Sequence, residues 1–313
     1  MEQEKNWERQ ALEHLLLENL KETRKARRWK TVLRVLSLIL IVGFILQVLD
    51  LRPFGDSFGT ERHTAMVSIE GEISSSAIAN ALDVGSALQA AFENDNSVGV
   101  ILRINSPGGS PVQSGIINDE IRRLRALYPN KPLHVVVEDI CASGGYYIAV
   151  AGDQILVDKA SIVGSIGVVM DSFGFTGLMD KLGISRRMIT AGSNKGMLDP
   201  FSKEDPKQVE MVQTMLNEIH QQFITVVKAG RGDRLKETPD LFSGRVWNGE
   251  QAVKMGLADG FGTVDTVARD VFKAPNILDY TMKENFAERV AKRFGAEVGS
   301  AAGKALVRSG DIK

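Results

Sequence analysis

Two runs rich in β-branched residues constrain the fold most. VGVILRIN at 98–105 and LHVVVED at 133–139 read as strands buried on both faces, the pattern of a parallel sheet covered by helices. Each run continues into small residues, SPGGS at 106–110 and ASGG at 142–145, and then into a helical pattern. The alternation extends to either side. A strand is expected near Ala65–Ile73, and helices in LDVGSALQAAFEN, in GIINDEIRRLRALY and, short and apolar, in GGYYIAVAGD. A strand QILVD (154–158) follows, then a further strand SRRMITAG (185–192) and a long helix from Lys203 to Lys228. NGEQAVKMG and TVDTVARDVF predict two shorter helices. No internal repeat interrupts this order, which predicts an α/β layer fold built from βα units.

The two Gly-rich turns carry the chemistry. In Ser106-Pro107-Gly108-Gly109 the proline presets φ, and the glycines allow positive φ and close backbone approach. Such a turn can aim a backbone N–H at a ligand oxygen. The second turn delivers Ser143-Gly144-Gly145 to a helix start, a strand-to-helix elbow that can present a serine nucleophile, although it is not G-x-S-x-G. Side by side, the turns supply a hydroxyl and N–H donors for an oxyanion.

A serine nucleophile needs a proton acceptor, and histidine is scarce. His14 precedes an apolar segment, His63 borders a linker, His134 lies in a strand pattern and His220 falls mid-helix; none lies between His134 and His220. A lysine can serve where burial lowers its pKa, so it must sit among small or apolar residues. Lys195 in AGSNKGMLDPF has such neighbours, whereas Lys159, Lys181 and Lys203 each lie within one residue of an acid and read as surface. Cys141, the single cysteine, excludes an intramolecular disulfide and a cysteine-based zinc site, and between Ile140 and Ala142 it reads as a small buried residue. Asp153, Asp158 and Asp171 are not spaced as metal ligands, so no metal and no cofactor are expected.

The N-terminus predicts an anchor. Fifteen residues from Val35 to Leu49 include only Ser37 and Gln47 as polar side chains. The 31–49 segment reaches spanning length if Arg34 returns its charge to the headgroups. RKARRWK (24–30) carries five basic residues and no acid, which places the N-terminus inside and the remainder outside, with Trp29 at the interface. The formal net charge of −1 and the lack of a basic stripe give no sign of a nucleic-acid partner. The chain therefore divides into a charged cytoplasmic helix (1–30), a transmembrane anchor (31–49), a linker (50–62), an α/β domain with the two Gly-rich turns (63–282) and a C-terminal amphipathic helix and tail (283–313).

INSPGG, ASGGYYIA, VGSIGV, DKLGI, AGSNKGMLDPF and GRVWNGEQAVKMGLADGFG occur here in one order. That order resembles the signal peptide peptidase A family, membrane-bound Ser/Lys peptidases of the Clp-protease/crotonase fold, over roughly 63–275. The resemblance implies a repeated β-β-α superhelical fold. It implies Ser143 as nucleophile, Lys195 as general base and Ser165 as the hydroxyl that holds the lysine amine. Gly109 and Gly144 would supply the oxyanion N–H groups. With one catalytic domain the chain looks like the short form, which suggests a ring-like homo-oligomer, with both dyad members expected in one chain. The implied setting is a bacterial inner membrane with the catalytic domain periplasmic, acting on cleaved signal peptides or other hydrophobic segments. In Clp relatives a histidine follows the serine by about one βα unit; nothing here fills that place, so lysine takes the proton. Three other readings share these residues: a peptidase paired with stomatin-like membrane proteins, a crotonase-type acyl-CoA enzyme, and a scaffold without catalysis.

Overall fold

The computed structural model describes residues 25, 27–43 and 61–282. These fall in two units that are described separately, one containing the N-terminal segment and the other spanning Gly59–Lys283. In the first, residues 27–43 are helical (α1) and present Val32, Leu33, Val35, Leu36 and Leu38 to the outside. No helix among the described residues is long and apolar enough to cross a membrane. Residues 44–49 of the expected span and the expected terminal helix, 283–308, lie outside the described residues.

The second unit is built on an eight-stranded mixed sheet. Its opening run is β1 (His63–Glu70), α2 (Ala81–Glu93), β2 (Ser97–Ser106), α3 (Pro111–Leu127), β3 (Leu133–Ala142) and α4 (Gly144–Ala149). Then come β4 (Gln154–Val157), β5 (Ile162–Gly164), α5 (Thr176–Leu182) and α6 (Pro206–Arg231). The chain closes with β6 (Val246–Asn248), α7 (Gly249–Lys254), β7 (Gly260–Phe261), a short turn of helix α8 (Val264–Thr266) that runs into a π turn, and β8 (Ile277–Asp279). The strand order is β6-β5-β3-β2-β1-β8, with β4 pairing with β3 and β7. Every pairing is parallel except β5 with β6.

Period-two alternation explains why the central strands look uniformly apolar. Val100, Leu102, Ile104, Val135 and Val137 join the main core with residues of α2, α3 and α4. Ile101 and Val136, on the opposite face, pack with Val267, Ala268 and Phe272. Both faces are dry, so both parities must be apolar. α3 starts where it does because Ser110 caps it, accepting from Gln113 N–H, and Pro111 occupies the first turn.

The expected strand over 185–192 is not formed. Those residues run without regular structure and are exposed, Ile189 at 98%. Met188 and Ile189 are adjacent in sequence, so the segment has no consistent apolar face with which to join the sheet. Three-residue strands β5, β6 and β8 and the short α5 were not anticipated.

Candidate active site

Ser143 stands where β3 ends and α4 begins, with φ 51° and ψ −121°. That backbone is sparsely populated for any residue with a Cβ, and holding it costs about 1–3 kcal/mol. The neighbouring strand enforces it. Ala142 pairs with Gly164 on β5, and Ser143 N–H donates to the Gly164 carbonyl at 2.8 Å. Ser165, one residue beyond Gly164, also has φ 51°, and its N–H donates to the Arg245 carbonyl at 2.8 Å. Adjacent strands thus end in two left-handed serines, both half-buried.

The first turn is clamped with equal care. Ser106 Oγ donates to the Gly71 carbonyl at 2.6 Å and accepts from Gly108 N–H at 3.1 Å. Ile73 bridges the turn: its N–H donates to the Gly108 carbonyl and its carbonyl accepts from Ser110 N–H, both at 2.8 Å. In this parallel pairing Gly109 lies opposite Ile73, so Gly109 directs its own N–H to the other side. That side holds Gly144. A Cβ placed on Gly144 would lie 3.3 Å from Gly109 N, and both glycines line one cavity. Gly144 is the first residue of α4 and has no carbonyl four residues back to bond within the helix. Gly108 (φ +107°) and Gly109 (φ +147°) occupy backbone that L side chains rarely adopt.

A cavity of about 330 Å³ opens over this arrangement. Gly109, Ser114, Ser143, Gly144, Tyr147 and Ser165 line one part of it, and Val168, Val169, Ile219 and Phe223 add an apolar wall. Asn118 Nδ2 donates to the Tyr147 carbonyl at 2.7 Å, tying α3 to α4 beneath the site. The structure thus brings together Ser143, Ser165, Gly109 and Gly144. It does not bring Lys195 to them: Lys195 is exposed on the turn at 192–198 and is not among the cavity's lining residues.

The described histidines have other partners. His63 is buried, with Nε2 2.9 Å from the Tyr280 hydroxyl and Nδ1 donating to the Glu61 carbonyl at 2.8 Å. His134 packs its ring 5.0 Å from that of Phe272, and burial lowers its pKa despite Asp153 and Asp259. His220 Nε2 donates to the Ile166 carbonyl at 3.1 Å, fastening the strand end after Ser165 to α6. None lines the cavity. Cys141 is fully buried, and burial pushes its thiol up, so it is not a competing nucleophile.

Sequence reasoning missed Ser114. The signal was a polar residue on the buried stripe of α3, in line with Ile117, Ile121 and Leu124. Tyr147 and Phe223, whose rings lie 5.1 Å apart, were also missed as cavity walls; they come from different helices.

Residues 125–277 match the model of peptidase family S49. The chain is 49% identical over 185 residues to the Na(+)/H(+) antiporter NhaA of Brucella abortus, a match covering 59% of this chain and 25% of that protein. The rest of the antiporter lies outside the match. Over 194 residues the chain is 31% identical to the putative signal peptide peptidase SppA of Enterococcus faecium, covering 62% of this chain and 56% of that one. Over 216 residues it is 30% identical to the putative protease slr0021 of Synechocystis sp., covering 67% of this chain and 73% of that one. Taken with the family motifs from INSPGG to GRVWNGEQAVKMGLADGFG, these matches establish that the chain belongs to peptidase family S49, the signal peptide peptidase A family.

Proposed function

We propose that this chain is a membrane-anchored serine endopeptidase whose nucleophile is Ser143. The observation that carries the reading is the positive-φ Ser143 at the tip of β3, lining one cavity with Gly109 and Gly144. A backbone outlier of this kind persists where surrounding structure over-determines it, and here it presents a hydroxyl to a cavity. In the proposed reaction Ser143 Oγ attacks the scissile carbonyl carbon and its proton passes to the Lys195 amine. The carbonyl electron pair moves onto oxygen, which the two N–H groups hold. Collapse expels the leaving amine, which takes the proton from the lysine, and water then hydrolyses the acyl-enzyme. Ser165 orients the amine. The apolar wall suits small or apolar residues before the cut, consistent with signal peptides and other hydrophobic segments as substrates.

The exposed position of Lys195 favours a dyad completed by a second copy of the chain. The segment that carries it also exposes Val169, Phe173, Leu178, Leu182, Ile184 and Ile189, and apolar surface of that extent needs cover. Association of copies into a ring would supply the cover and carry Lys195 of one copy to Ser143 of the next. In this proposal the dyad spans two copies, in place of both members in one chain. The family's Clp-protease/crotonase superhelix is the arrangement proposed for the sheet and helices. The apolar segment 31–49 is proposed as the anchor, with the catalytic unit outside the cytoplasm.

The test is full-length protein in detergent, assayed with fluorogenic peptides carrying small or apolar residues before the cut. Wild type cleaves and Ser143→Ala does not; equal activity of the two overturns the reading. Protease added to spheroplasts should degrade the catalytic unit and spare residues 1–29; protection of that unit overturns the topology.

A further inference from the structure

Ser114 is fully buried, lines the cavity beside Ser143, and its hydroxyl has no hydrogen-bond partner. This is unusual for a helical hydroxyl. Ser86, Thr214 and Thr225 bond back to the carbonyl four residues earlier, at 2.8, 2.9 and 2.8 Å. Ser114 has the same option with the Ser110 carbonyl, which accepts its backbone N–H at 3.1 Å, and does not use its side chain that way. A buried hydroxyl without a partner is costly, so it persists where something else requires it.

Its position supplies the reason. A Cβ placed on Gly144 would collide with Ser114 Oγ and lie 3.3 Å from Gly109 N. The Gly144 backbone is therefore closely approached by the Ser114 hydroxyl and by Gly109 N, and all three residues line the cavity with Ser143. An oxygen bearing developing negative charge is the group that three such donors fit.

We infer that Ser114 is a third donor to the oxyanion, a catalytic residue acting with the N–H groups of Gly109 and Gly144. The inference rests on the peptidase reading above. No proton leaves Ser114: its O–H donates a hydrogen bond to the carbonyl oxygen as the electron pair moves there, and withdraws when the tetrahedral intermediate collapses. Two backbone donors are fixed by the fold, whereas a hydroxyl can rotate onto the oxygen once charge develops, favouring the transition state over the substrate.

The experiment compares full-length wild type, Ser114→Ala, Ser114→Cys and Ser143→Ala for peptide cleavage, affinity for a peptide aldehyde, and fluorophosphonate labelling. Ser114→Ala is expected to lower kcat about 100-fold with KM nearly unchanged, and to weaken aldehyde binding by a similar factor. Its thermal midpoint should hold or rise, since it removes an unpaired buried hydroxyl. Ser114→Cys, close in volume with a weaker donor, should fall between. A folded Ser114→Ala within about threefold of wild-type kcat overturns the inference, as does a loss of kcat with aldehyde affinity kept. If the alanine variant does not fold, wild-type kcat in Ser114→Cys overturns it. Activity that survives in Ser143→Ala defeats the peptidase reading instead, so the two failures are distinguishable.

Discussion

Ser143 and Ser165 share the same left-handed φ of 51° and each follows one member of the paired residues Ala142 and Gly164. The strand pairing places the two hydroxyl-bearing residues side by side at the mouth of one cavity. Gly108 closes this arrangement from the other turn, since a Cβ there would lie 2.7 Å from Ser143 Cβ and 2.8 Å from Gly144 N. Gly108→Ala should therefore displace the elbow and lower kcat/KM by at least about 100-fold, with a stability loss of about 1–3 kcal/mol from the strained φ. Urea unfolding alongside peptide assays checks both numbers. Ser165→Ala should be milder, since it removes an orienting hydroxyl and leaves the elbow in place.

Gly144→Ala is expected to remove activity by forcing apart the residues packed around the elbow. Its methyl would collide with Ser114 Oγ and crowd Gly109 N. Combining it with Ser114→Ala relieves the collision and should restore stability, but kcat should stay low because donors are still lost. A double-mutant cycle on melting temperature and kcat reads the two effects separately.

Far from the cavity, Arg231 and Asp259 hold α6 against the end of β4. Arg231 is 1% exposed; it donates to the Gly256 carbonyl at 2.7 Å and to both Asp259 oxygens at 2.9 and 2.8 Å. Asp259 also accepts from Ile155 N–H at 2.7 Å. Burial pushes the Asp259 carboxyl up, but hydrogen bonds from Arg231 and Ile155 and the charges of Arg231 and Arg234 outweigh it, leaving the pKa below the usual carboxylate range. Asp259→Asn should cost about 3–5 kcal/mol at pH 7, because it strands a buried guanidinium. A depressed carboxylate pKa stabilises the fold above the unfolded value, about 3.9, and that contribution fades as pH falls through the folded value. Urea midpoints should show the gap between wild type and Asp259→Asn shrinking below about pH 4. A gap independent of pH contradicts the assignment.

Mixing inactive Ser143→Ala chains with inactive Lys195→Ala chains tests where the base comes from. Recovery of a sizeable fraction of wild-type activity is expected if Lys195 crosses to a second copy. Ile189→Asp, at a 98% exposed apolar position of the same segment, should lower both the oligomeric mass in sedimentation and the activity. No recovery from mixing, with a fully active monomer, returns the dyad to one chain.

The strands and helices from His63 to Val157 were legible in the sequence because their apolar periodicities are long and their ends carry clear punctuation. Ser110-Pro111 starts α3, and the Ser143-Gly144-Gly145 turn ends β3. The elbow at Ser143 and the Gly-rich turn beside it were legible for the same reason, lying at strand ends where glycines announce a tight turn; the roles of Gly109 and Gly144 came from the family resemblance. The strand expected over 185–192 failed because its residues stay exposed and join no strand of the sheet; periodicity reports an apolar face, not what covers it. Ser114 stayed hidden because its significance depends on Gly144, 30 residues away, approaching it in space. The placement of Lys195 was hidden similarly: apolar neighbours in sequence did not give it a buried setting.

The most direct test of the central claim is mass spectrometry of full-length protein treated with a fluorophosphonate. The account predicts a single adduct on the peptide containing Ser143, formed at a rate that falls in Lys195→Ala and absent in Ser143→Ala, with peptide cleavage lost in step. An adduct on another residue, or cleavage that persists in a folded Ser143→Ala protein, would contradict it.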